Sequence, residues 1–122
     1  MDWKTATDEE ADSYAAESIM RWSASQKWWA YRGSVMVEPV MLRLDWHPST
    51  DRDQADMCLA KFWDRWAVEL TRYKPGRWIA MAKCNAMLIM VTVETTESRC
   101  RLNLAIALHM WEAENATLQA TE

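Results

Sequence analysis

The stretch Pro75-Gly76-Arg77-Trp78-Ile79-Ala80-Met81-Ala82-Lys83-Cys84-Asn85-Ala86-Met87-Leu88-Ile89-Met90-Val91-Thr92-Val93 decides the fold class. Two β-compatible runs, 77–84 and 86–93, flank Asn85, a residue that tolerates the left-handed backbone a tight reversal needs. The stretch therefore predicts a hairpin. Its second run is apolar at nearly every position, which suits a strand buried on both faces or covered on one face by a neighbouring subunit. On that ground a homo-oligomer is expected.

Upstream, Pro75-Gly76 reads as the stop of a long helix. Ala55, Cys58, Leu59, Phe62, Trp66, Leu70 and Tyr73 recur at helical spacing and predict about five turns. His47, Pro48, Ser49, Thr50 and Asp51 are the turn and cap residues that lead into it. Before them, Val40, Leu42, Leu44 and Trp46 alternate with Met41, Arg43 and Asp45, the mark of a half-buried strand. A short strand at Val35–Val37 is expected ahead of Pro39, and no period holds from Ser23 to Gly33, which reads as loop. Thr7-Asp8-Glu9-Glu10 is a capping box; it opens a first helix to about Trp22, with Ala11, Tyr14, Ala15, Ile19 and Trp22 on its inner face. Downstream, Thr95 and Thr96 cap a third helix that buries Leu102, Ala105, Ile106, His109 and Ala113, with Leu104, Leu108 and Trp111 widening the arc. Residues 1–6 and 115–122 are expected to fray. The order predicts an α+β fold, three helices packed on a small, mostly antiparallel sheet of three to four strands, as one domain over 1–122.

A chain of 122 residues, half of them hydrophobic, suffices for one core. A net charge of −4 offers no footprint for a phosphate backbone, so non-specific nucleic-acid binding is disfavoured. Three cysteines without a C-x-x-C pair lie in apolar runs and fit a reducing compartment. The first twenty residues lack the basic start and apolar stretch of a signal peptide, and no run approaches the ~18 apolar residues of a membrane span. The expectation is a cytoplasmic protein with no membrane association.

Candidate chemistry is sparse. A helix N-terminus presents unpaired amides and a positive dipole end, so His47, Ser49, Thr50 and Arg52 form a candidate phosphate or ligand site, against the plainer reading of a helix cap. His47 and His109 lie on separate elements without a sequence-local nucleophile, and no Cys/His/carboxylate spacing suits a metal. No catalytic residue, metal site or cofactor is expected. Nine tryptophans exceed what one small core hides easily. Trp28, Trp29, Tyr31 and Arg32 in the expected loop, and Trp63 at the flank of the second helix, are the candidate interface, with core packing as the alternative.

Three segments together resemble the phage ABA-sandwich domain family of small phage and prophage proteins: Asp12-Ser13-Tyr14-Ala15-Ala16-Glu17-Ser18-Ile19-Met20-Arg21-Trp22, then Trp46-His47-Pro48-Ser49-Thr50-Asp51, and a helix after Glu94-Thr95-Thr96. Arg101–Leu108 stands where that family has its closing motif, without the family's proline. The resemblance implies a helix–sheet–helix sandwich encoded by a phage or prophage and acting in the host cytoplasm. The resemblance implies no settled activity; joined with the absence of catalytic groups and the tryptophan surplus, it leads to the expectation of a non-enzymatic protein that engages a host protein or a small nucleotide-like ligand, for instance to inhibit antiviral defence by sequestering a nucleotide-derived signal. A small enzyme acting on a phosphorylated metabolite and a structural phage component are the alternatives.

Overall fold

The computed structural model describes residues 2–32, 39–93 and 96–120. The capping box forms: Thr7 Oγ1 accepts from the Glu10 amide at 3.1 Å, and the Glu10 carboxylate accepts from the Thr7 amide at 3.3 Å. Helix α1, Asp8–Tyr14, then widens into a π-helical turn over Ala15–Ile19, where the Met20 amide reaches the Ala15 carbonyl at 2.8 Å. Arg21 takes φ 60° and reverses the chain, so Trp22 belongs to a strand and not to the expected helix.

The expected loop after Trp22 is a hairpin, β1 (Trp22–Ser25) and β2 (Trp28–Tyr31), turned at Gln26 with φ 53°. Four-residue strands with serines on one face are too short for a period of two to show. Strand β3, Pro39–Leu42, pairs antiparallel with β2 and forms the sheet edge, where the missing proline amide costs little. It ends four residues before the expected limit, because Arg43–Asp45 forms a 3-10 turn that leaves Leu44 89% exposed. The short strand expected at 35–37 lies outside the described residues.

Helix α2, Arg52–Ala60, is capped by Asp51, whose carboxylate accepts from the Gln54 amide at 3.0 Å. It stops far short of Tyr73. Turns follow over 61–65, and then strand β4, Ala67–Lys74. Phe62 and Trp66 keep helical spacing because the turns fold both into the core. Beyond them, half-buried Val68 and Leu70 alternate with exposed Ala67, Glu69 and Thr71, a period of two. Pro75-Gly76 is accordingly a hairpin turn, with Gly76 at φ 76°. Strands β5 (Arg77–Cys84) and β6 (Met87–Val93) form the expected hairpin around Asn85, φ 55°. The fold is α+β as expected, with its strands divided between two antiparallel sheets, β1-β2-β3 and β4-β5-β6, where one was expected.

Helix α3, Glu97–Ala120, begins at Thr96, whose hydroxyl accepts from the Arg99 amide at 3.1 Å. Leu102, Leu104, Ala105, Ile106 and Leu108 are fully buried. The helix packs on β5 and β6, where Ala80 and Ala82 allow close approach, and on α2, α1 and the π-helical turn. His109 is half-buried and Ala113 is exposed, so the inward stripe ends a turn earlier than its spacing predicts. The opposite face of the larger sheet carries exposed Ala67, Glu69, Thr71, Lys83 and Leu88, and β6 is an edge strand. Arg99 is buried and donates to the carbonyls of Ala6 at 2.7 Å and Trp3 at 3.4 Å, to Asn103 at 2.8 Å and to the Asp8 carboxylate, which ties residues 3–8 to α3. Among the described residues, no helix is long and apolar enough to cross a membrane.

Candidate functional site

The segment before α2 is a closed polar knot. Asp12 of α1 accepts from the Ser49 amide at 2.8 Å through one carboxylate oxygen and from the Ser49 hydroxyl at 2.9 Å through the other. Ser49 is 2% exposed, so a carboxylate of the chain itself holds the place where an anion would bind. Burial pushes the Asp12 pKa up, and the two bonds from Ser49 oppose it. Gln54 braces the same knot, accepting from the His47 amide and donating to the Asp45 carbonyl, each at 2.6 Å. His47 and Thr50 remain exposed, 3.3 Å apart between Nδ1 and Oγ1, and Arg52 is exposed on the first turn of α2.

The tryptophans sort differently from the expectation. Trp22, Trp29, Trp46 and Trp66 are buried, and Trp3, Trp78 and Trp111 are partly buried against the same core. Trp22 meets Trp46 edge-on at 4.8 Å and Trp66 meets Trp111 edge-on at 5.4 Å, the geometry favoured by ring quadrupoles. Trp46 also donates its indole N–H to the Asp12 carbonyl at 2.9 Å. Trp28 and Trp63 are exposed, at 37% and 56%. The structure does not bring the five interface candidates together. Trp28 and Trp29 point to opposite faces of the small sheet, as alternation along a strand requires. Arg32 donates to the Glu17 and Trp22 carbonyls, both at 3.1 Å, beside exposed Tyr31. Trp63 borders a separate groove near β4.

What the small sheet does assemble is an open groove of about 590 Å³ between α1, the β1–β2 turn and the 3-10 turn. Trp29 and Trp46 supply its aromatic wall, Lys27, Arg43 and Leu44 one rim, and Glu9 and Asp12 the other. The Arg43 guanidinium lies 5.2 Å from the Trp29 ring centroid and donates to the Gln26 carbonyl at 3.1 Å, so its planar face is held in place. Arg43 and Leu44 are missing from the site residues the sequence singles out. The alternation places Arg43 outside and Leu44 inside a strand, and only the 3-10 turn brings Leu44 out beside Arg43.

A second cluster joins α1 to α3. Tyr14 and His109 share a hydrogen bond of 2.8 Å between the phenol and Nδ1. Burial lowers the His109 pKa, the nearby Arg21 lowers it further, and Glu112 opposes both. A neutral imidazole bonded to a phenol is a proton-accepting pair, yet the shallow pockets that reach Tyr14 are lined by Glu9, Glu10, Glu17 and Glu114, which repel a phosphorylated substrate. Cys58 is fully buried, and burial together with Asp12 pushes its thiol pKa up to about 12. Among the described residues, no three His, Cys, Asp or Glu side chains are disposed to hold a metal. Compared with known proteins, the chain matches no family model, no curated sequence and no solved structure.

Proposed function

We propose that the chain is a non-enzymatic binding protein that engages a host protein through the groove beside Trp29. The observation that carries this reading is the rim itself: Leu44, 89% exposed, projects beside Lys27 and an Arg43 stacked on a buried tryptophan, with Glu9 across the opening. An exposed leucine is unremarkable alone. Set beside an ordered arginine, aromatic walls and charges of both signs, it has the composition of a binding hot spot with a polar rim. Phage or prophage origin, with action against a host defence factor in the cytoplasm, rests on the resemblance of the 12–22 and 46–51 segments to the phage ABA-sandwich family.

One observation favours a second ligand class. The stacked Arg43 and Trp29 beside Lys27 suit a flat base carrying an anionic group, so a nucleotide-like signal fits the same groove, whose volume falls within the usual range for small-molecule sites.

Native mass spectrometry of the chain purified from a bacterial lysate, beside its Lys27→Glu/Leu44→Asp variant, tests the reading. Both substituted side chains are exposed, so the fold should be retained. The expected result is a non-covalent adduct on the unaltered chain that the variant loses, with the adduct chemically unchanged on incubation. A protein-sized adduct supports the first class and a nucleotide-sized one the second. No adduct on the unaltered chain, an adduct carried equally by both, or one converted to product overturns the proposal.

A further inference from the structure

Strand β4 is an edge of the larger sheet: it pairs with β5 on one side, and among the described residues no strand pairs with the other. A row of strand amides and carbonyls facing outward is a template for another strand. Three features of this edge select its occupant.

The first is charge order. Glu69 pairs with Met81, Thr71 with Ile79 and, past an irregularity between Arg72 and Lys74, Lys74 with Arg77. Residues paired across an antiparallel ladder share a face, so Glu69, Thr71 and Lys74 line one face in sequence, an acid, a neutral centre and a base, all exposed. An antiparallel copy turned about a twofold axis at Thr71 sets Glu69 of each chain against Lys74 of the other. The second feature lies on the opposite face. Val68 and Leu70 point into a groove of about 500 Å³ that Leu59, Trp63, Trp66 and Arg101 complete, and Trp63 stands 56% exposed at its border. A strand added to β4 in this register extends the floor of that groove and sets Arg72 of the other copy, which shares the Val68 and Leu70 face, opposite Leu70. The third is the state of the charges on this face: Arg101 in the groove is already held by Asp56 and Glu97, both at 2.6 Å, and exposed Arg72 lies with its guanidinium 5.9 Å from the Trp78 ring centroid, which leaves its aliphatic stem to cover an apolar neighbour.

We infer that the outer edge of β4 is the seat of a second copy of this chain, which adds its own β4 antiparallel to make a continuous six-stranded sheet. An isologous interface must be self-complementary, and a strand whose charge changes sign about its midpoint meets that condition with its own copy. The register is fixed by the two Glu69–Lys74 pairs, while on the opposite face Leu70 of each copy is covered by the stem of the other copy's Arg72. The other edge, β6, shows no charged side chain that would set a register in this way.

Sedimentation velocity of the full chain over a wide concentration range tests the inference. A monomer–dimer equilibrium is expected. Glu69→Lys and Lys74→Glu should each weaken the dimer by about tenfold or more, since every dimer then holds two like-charge contacts in place of two ion pairs. The double variant E69K/K74E restores the pairs with their signs exchanged and should dimerise within a few-fold of the original chain. Circular dichroism melts verify that each variant folds. In the original chain, hydrogen exchange at the outward amides of β4 should slow as concentration rises. A monomer at every concentration, a dimer indifferent to the single reversals, or a double variant no tighter than either single one overturns the inference. In the first of these cases an extended segment of another protein becomes the occupant to seek.

Discussion

The two sheets meet the core in opposite ways. On the larger sheet, Ala80 and Ala82 present almost nothing to α3, which brings Leu102, Ile106 and its neighbours down onto the strands until all are fully buried. On the smaller sheet the inward side chains are indoles, Trp22 and Trp29, which meet Trp46 and α1. Small residues on one partner and branched ones on the other interdigitate without gaps. Large rigid rings fill volume quickly but cannot follow every contour, and each brings an N–H to satisfy, as Trp46 does with the Asp12 carbonyl. The groove of the small sheet is the space those rings leave. A seam of alanines makes a sealed core, whereas a corner built of tryptophans keeps an opening with an aromatic lining.

Trp29→Ala is the severest way to break the contrast. It removes a buried ring from the corner and should cost about 3–5 kcal/mol in denaturant unfolding, while Trp28→Ala, one residue away on the other face, should stay within about 0.5 kcal/mol. Equal losses would show that the two rings share one environment. Ala80→Leu probes the sealed side. Overpacking there should cost about 1–3 kcal/mol by the same measurement, and a neutral result would mean that α3 does not touch the strand as closely as its burial indicates.

The smallest effect concerns the joint between α1 and α3. His109 has its pKa lowered by burial, so its stabilising share is complete above its unfolded value of 6.5 and is lost as pH falls through the folded value. Stability should therefore decline on acidification below about pH 6.5, and His109→Gln should flatten that decline by less than about 1 kcal/mol. Asp12 acts in the opposite sense: its raised pKa favours the folded state as pH falls. An unchanged pH profile in His109→Gln would show that the imidazole titrates no differently when folded.

Sequence reading reached the elements whose signals are local. The Thr7 capping box, the Asn85 hairpin and the buried stripe of α3 each depend on residues within a turn or two of one another. It failed where one spacing serves two structures. Phe62 and Trp66 continue the helical period of Cys58 and Leu59, yet they reach the core through turns, and only the alternation of Val68 and Leu70 marks the strand. The candidate site was legible in part. Ser49 was visible as a helix-start residue, but its partner Asp12 lies 37 positions away and nothing local points to it. The groove's rim, Lys27 with Arg43 and Leu44, exists only once a hairpin forms from a stretch with no period and the next strand stops early.

The clasp that Arg99 makes on Asp8 and on the Ala6 carbonyl spans more than ninety positions, and the Tyr14–His109 bond spans ninety-five. A seven-residue helix is too short to persist by itself. Helix α1 can therefore be fastened in two stages during synthesis, first by Trp46 and Ser49 at Asp12 and only afterwards by Arg99 and His109, so one wall of the groove it borders can stand before the clasp from α3 closes.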